Sequence, residues 1–143
     1  MYLSLPIPRR EKQPTLHQCM AEFTKIEKLK DDEKWECDKC KVAVQATKKL
    51  EIWKFPPILI INLKRFRYSE KKREKVKKFV DYPIDNLEIS SFEKGKHREP
   101  PIYDLFAVAN HFGRLNYGHY TAMAKNKNTQ KWYLFDDMHT KQI

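Results

Sequence analysis

The sequence predicts a strand-dominated α+β fold with a single early helix. Three observations carry that prediction. Residues 117–136 hold two alternating runs, YGHYTAMAK and WYLFD, around a polar segment, which is the period of half-buried strands. ILIINLKRF (58–66) and YDLFAVA (103–109) are nearly continuous apolar runs of strand length. Helix period occurs once, where Leu16, Cys19, Met20 and Phe23 fall at i, i+3, i+4 and i+7.

Taken in order, Thr15 has the chemistry of an N-cap, and the helix that follows should run about two and a half turns. Trp35 to Lys41 surrounds a CxxC and reads as a short strand with a tight metal-binding turn. ATKKLEIWKF (46–55) predicts a strand that Pro56-Pro57 breaks. Ile58 to Phe66 predicts a strand buried on both faces. Lys71 to Lys78 (KKREKVKK) reads as a solvated loop or turn. Phe79 to Ile89 reads as irregular with a strand-like start, and Ser90 to Pro101 as a loop. Tyr103 to Ala109 predicts another buried strand, followed by the hairpin of residues 117–136.

The whole chain sets bounds. Its 143 residues, 41% hydrophobic and 13% aromatic, suit one domain with a core. No apolar run is long enough for a membrane helix, and MYLSLPIPRR is too short and proline-broken for a signal peptide. Three cysteines, two of them in one CxxC, fit a reducing compartment and a metal or redox use better than a disulfide framework. The chain is therefore expected to be soluble and intracellular, in the cytoplasm or the nucleus. The net charge of +10 raises nucleic acid as a partner, but no aromatic residues interleave with the basic run, as base stacking would want.

The hairpin carries the chemistry. If its strands fold about a centre near Asn128, Met123 faces Trp132 and His119 faces Asp136. Directly paired residues stand about 4.5–5.5 Å apart at Cβ, so a carboxylate could accept from the imidazole. His119, Thr121 and Met123 then share a face with Trp132, Leu134 and Asp136. Asp137 points away unless the strand twists there. A His held by a carboxylate is the base half of a nucleophilic triad, though such a cross-strand pair also occurs as plain structure. Two of the chain's three glycines, Gly113 and Gly118, bracket the preceding loop and would permit a substrate backbone to approach closely.

GHYTAMAKN and KWYLFDD together resemble the His box of the ubiquitin-specific proteases, papain-like cysteine enzymes that cut after the C-terminal glycine of ubiquitin. YLSLPIP (2–8), LHQC (16–19), the CxxC (37–40), ATKKLEIWKFPPILIINLKRF (46–66), VDYPIDNLEIS (80–90) and YDLFAVANHFG (103–113) look like further stations of that domain, in its order. The resemblance spans nearly the entire chain. It implies a papain-like fold of thumb, fingers and palm, with this chain as the second half of the fingers and most of the palm. It implies His119 as general base, Asp136 as the residue that orients it, and Asp137 as a second acid that helps place water or the oxyanion. It implies Cys37 and Cys40 as half of the fingers' structural zinc site, with no cofactor for catalysis. Gly118, with Gly113 and Tyr117 before it, matches the mobile loop that gates the ubiquitin tail.

Residues 1–143 are thus expected to be a partial domain, without the N-terminal Cys box, the first CxxC and the last palm strand. Cys19 does not replace the missing nucleophile, because it lies on the apolar face of its helix and reactive thiolates want an electropositive, partly exposed setting. His17 and Cys19 point in different directions and do not complete the zinc site. Arg114-Leu115-Asn116-Tyr117 stands where many members have glycines, and Tyr117 would narrow the tail channel. His111 reads as packing, and His17, His97 and His139 as surface. Three function classes follow: part of a deubiquitinase acting on ubiquitin or ubiquitinated proteins, a non-catalytic ubiquitin-binding or scaffold module within a larger assembly, and a basic zinc-ribbon-like nucleic-acid binder. No membrane partner is expected. An open sheet edge should make the chain poorly soluble alone.

Overall fold

A computed structural model describes residues 1–68, 73–95, 101–114 and 117–143. Lys71 and Lys72 of the basic run, His97 and Pro100 of the loop, and Leu115 and Asn116 before the hairpin lie outside the described residues. The described residues are strand-dominated with one α-helix, as the sequence predicts.

The core forms where the first strand meets the helix. In β1 (Tyr2–Leu5) Leu3 and Leu5 point inward while Tyr2 stays exposed. Helix α1 (Leu16–Thr24) buries Leu16, Cys19 and Met20. Its start is a capping box: Thr15 Oγ1 accepts from Gln18 N at 3.2 Å, and Thr15 N donates to Gln18 Oε1 at 2.8 Å. Ile7, Ile52, Phe55, Val76, Val80, Leu87 and Ile89 complete the same buried cluster.

A slender extension follows the helix. β2 (Glu27–Lys28) pairs with β5 (Thr47–Lys48), and β3 (Trp35–Glu36) pairs with β4 (Ala43–Val44). The CxxC lies at the tip of the second hairpin, as expected. The strand predicted over 46–55 shrinks to β5 and a single bridge from Ile52 to Glu93. Its remaining backbone serves other contacts, such as Phe55 N donating to the Glu93 carboxylate.

β6 (Ile60–Leu63) pairs in parallel with β1. The prediction of burial on both faces fails here. With β1 as its partner, β6 lays Ile61 and Leu63 against the core and leaves Ile60 exposed. Phe66 belongs to a separate strand, β7 (Phe66–Tyr68), antiparallel to β8 (Arg73–Lys75). The basic run is therefore not a solvated loop over its described part. Val76 is buried, and Lys78 Nζ donates to the carbonyls of Pro8, Arg9 and Glu11 at 3.3, 2.6 and 2.7 Å.

Residues 79–89 carry their strand at the end rather than the start, as β9 (Leu87–Glu88), paired with β10 (Ile102–Tyr103). YDLFAVA is not one buried strand. Asp104 accepts from Asn86 N and Leu105 N donates to Ile84 O, which breaks the run. The chain then enters a four-stranded antiparallel sheet in sequence order: β11 (Ala107–Arg114), β12 (Tyr117–Lys125), β13 (Trp132–Asp136) and β14 (His139–Gln142). This sheet has open faces, and no described residue beyond 100 is fully buried.

Candidate active site

The site is built on β12 and β13. The observed register pairs Met123 with Leu134 and Lys125 with Trp132, not Met123 with Trp132. The turn explains the difference. Asn126 Oδ1 accepts from the backbone of Asn128 and Thr129, and Gln130 takes a left-handed φ of 57°. The turn centre moves one residue along, so the register slips by two. A two-residue slip keeps every side chain on its predicted face. Continuing that register sets Asp136 opposite Thr121, diagonal to His119. The pair still meets: His119 Nε2 lies 2.5 Å from Asp136 Oδ1.

An ionised carboxylate only accepts, so Nε2 carries the proton and Nδ1 is the ring atom left to take another. Both side chains are about half exposed, at 45% and 49%. The hydrogen bond that Asp136 accepts raises the His119 pKa, partial desolvation opposes it, and the charges of Asp136 and Asp137 add to the rise.

Asp137 follows the end of β13 with a φ of 48°. That conformation, which Asp tolerates better than most residues, swings its carboxylate round to the front. Donor atoms of His119, Asp136 and Asp137 all lie within 4.8 Å of one another. None of the chain's three cysteines joins that group. Cys19 is fully buried and its thiol is pushed up by desolvation, against a smaller opposite pull from Arg65.

The loop residues lie just behind. Gly113 pairs directly with Gly118, and Phe112 with His119. Gly113 has a φ of +88°, and a Cβ there would meet Tyr117 O at 2.6 Å. A Cβ on Gly118 would fall on the His111 ring and stand 2.5 Å from Phe112 O. Both glycines thus admit the chain's own neighbours. Tyr117 is 88% exposed. His111 is a packing residue, between Phe66 and Tyr120 with ring centroids at 5.5 and 4.6 Å.

The CxxC lies in a tight turn. Cys37 N donates to Val42 O, Lys41 N donates to Cys37 O, and Lys41 has a φ of 54°. Backbone N–H groups of Cys40 and then Lys39 face the Cys37 sulfur and lower its pKa, with a further contribution from the Cys40 side chain. The pair fits half of a tetrahedral zinc site. Among the described residues no group of three or more metal-ligating side chains includes Cys37 or Cys40. His17 turns away, its Nε2 2.6 Å from Glu88 O.

An imidazole held by a carboxylate on a sheet is the arrangement that general-base hydrolases use. The chain belongs to the ubiquitin carboxyl-terminal hydrolase family, whose model matches residues 10–143. It is 48% identical over 122 residues to human ubiquitin carboxyl-terminal hydrolase 15, covering 85% of this chain and 12% of that protein. Mouse ubiquitin carboxyl-terminal hydrolase 4 is 42% identical over 138 residues, 95% of this chain and 14% of the relative. Among solved structures, a yeast SAGA deubiquitinating module superposes with a TM-score of 0.79 at 31% identity, covering 99% of this chain and 31% of the other. The SAGA Ubp8/Sgf11/Sus1/Sgf73 module bound to ubiquitin aldehyde gives 0.76 at 30% identity, covering 99% and 31%. The fold is thus the papain-like one of ubiquitin-specific proteases, and the chain spans about an eighth of the curated relatives' length.

Proposed function

We propose that this chain supplies the base half of a cysteine-type deubiquitinase that hydrolyses the bond after the C-terminal glycine of ubiquitin. The observation that carries the reading is the 2.5 Å contact of His119 with Asp136, with Asp137 beside it, in a chain of this family. The attacking thiolate comes from sequence outside these 143 residues, since Cys19 is buried and Cys37 and Cys40 sit on the far hairpin. His119 Nδ1 takes the thiol proton, and Asp136 holds the resulting imidazolium. The sulfur attacks the glycine carbonyl, and the imidazolium returns the proton to the departing amine. Water, deprotonated by His119, then releases ubiquitin from the thioester. Asp137 steadies the imidazolium and helps place that water. Gly113, Tyr117 and Gly118 flank the path of the ubiquitin tail.

Cys37 and Cys40 supply two thiolates to a structural zinc site whose other ligands lie outside the chain, and no cofactor takes part in catalysis. The solved neighbours include one bound to ubiquitin aldehyde within a four-protein module, which supports ubiquitin as the ligand and an assembly as the setting. A cytoplasmic or nuclear location suits that work. The absence of a thiol from the His119 group favours a second reading for the chain by itself: it binds ubiquitin without cutting.

An electrophilic ubiquitin probe tests both readings. The complete enzyme should form a covalent adduct and the isolated chain should not. An adduct on Cys19, Cys37 or Cys40 of the isolated chain would overturn the assignment of the nucleophile.

A further inference from the structure

Lys75 ends β8, and its ammonium is turned into the molecule. Nζ donates to Nδ1 of His111 at 2.9 Å, to the carbonyl of His111 at 2.7 Å and to that of Gly113 at 3.1 Å. A lysine ammonium has three donors, and these contacts use all of them. Among the described residues β11 is an edge strand of its sheet, so carbonyls on its outer side have no ladder partner there. Phe112 O, between the two held carbonyls, lies on the inner side against Gly118. Lys75 therefore clamps the open edge of β11 where it turns toward His119.

His111, half-buried, packs against three further neighbours. Phe66, opposite Lys75 in the β7–β8 register, meets its ring edge-on at 5.5 Å. Tyr120, its partner across β11–β12, lies at 4.6 Å. The ring rests on Gly118, the residue before His119, where no Cβ would fit. An ammonium cannot accept, so His111 Nδ1 accepts, Nε2 bears the proton and the ring is neutral.

We propose that Lys75 is a positioning residue of the reaction, setting the backbone of Gly118 and His119 through a neutral His111 packed behind them. The inference deepens the reading above and rests on it. Among the described residues the titratable groups packed on His111 are Lys75 from β8 and Tyr120 from β12, while Phe66 and Gly118 bring none. Burial first, and then the Lys75 charge, lower the His111 pKa. Without Lys75, Nδ1 becomes free and mild acid places a cation behind Gly118.

The test uses the complete enzyme and a fluorogenic ubiquitin C-terminal amide, with kcat and KM followed from mild acid to mild alkali. Lys75→Met should lower kcat in mild acid by about tenfold to a hundredfold, leave KM nearly unchanged, and recover most of the loss in mild alkali. Lys75→Arg, which keeps the donors, should restore much of the activity. Adding His111→Gln to Lys75→Met should abolish the new pH dependence. Unchanged kcat in Lys75→Met, or a loss equal at every pH, would overturn the proposal. Should Lys75→Met fail to fold, histidine ¹⁵N NMR of the unsubstituted enzyme decides. A neutral His111 with its proton on Nε2 supports the proposal, and a proton on Nδ1 or a charged ring at neutral pH refutes it. His119→Ala in the same assay separates the two readings. If that variant is inactive while Lys75→Met is normal, positioning by Lys75 alone is wrong; if it is active, the active-site reading fails with it.

Discussion

At the scale of single residues, the proposed function rests on how His119 holds its proton. Its pKa is raised, first by the Asp136 hydrogen bond. The stability this lends is complete below the unfolded value of about 6.5 and fades as pH rises through the higher folded value. Asp136→Asn should therefore bring the His119 titration, followed by histidine NMR, back down toward the ordinary value. An unchanged titration would mean that the pair does not couple. Gly118→Ala should cost activity or folding, since its Cβ would stand 2.5 Å from Phe112 O, a backbone atom that cannot easily give way. The sequence made His119, Asp136 and their shared face legible because a period of two survives a register slip of two. It did not make the register itself legible, because the slip depends on an Asn126 cap and a left-handed Gln130. Nor did it show the service of Lys75, which rests on tertiary contacts with a strand 36 residues away.

At the scale of elements, α1 was the most readable. Its cap, period and buried face all agree, and Met20 is fully buried. Met20→Ala should destabilise by about 2–5 kcal/mol and Thr15→Ala by about 1 kcal/mol, both measurable by denaturant unfolding. The apolar runs misled. ILIINLKRF reads as a doubly buried strand and YDLFAVA as a buried one, yet among the described residues β6 has one partner and an exposed Ile60, and the second run is cut by Asp104 and Leu105. Composition reports how apolar a strand is and not how many neighbours it finds. The β3–β4 hairpin gives a further prediction. In the complete enzyme, Cys37→Ser with Cys40→Ser should lower bound zinc to near zero by elemental analysis and loosen this extension. Full zinc content in the double variant would remove both residues from the site.

At the scale of the whole molecule, the buried cluster sits on the β1–α1 side, while the sheet that carries His119 stays open. Phe112, Tyr120 and Met138 are exposed at 57%, 64% and 96%. Open apolar faces and edges invite association. The chain expressed alone should self-associate in analytical ultracentrifugation, and a monomer with a sharp, cooperative melt would contradict that expectation. The same openness leaves His119 about half exposed, so a thiol could reach it in the proposed reaction. The most direct measurement is turnover of a ubiquitin C-terminal amide by the complete enzyme carrying His119→Ala. A general base contributes about 10²–10⁴-fold, so the account predicts a loss of that size with KM little altered. Near wild-type turnover would contradict it and leave His119 and Asp136 as a structural pair.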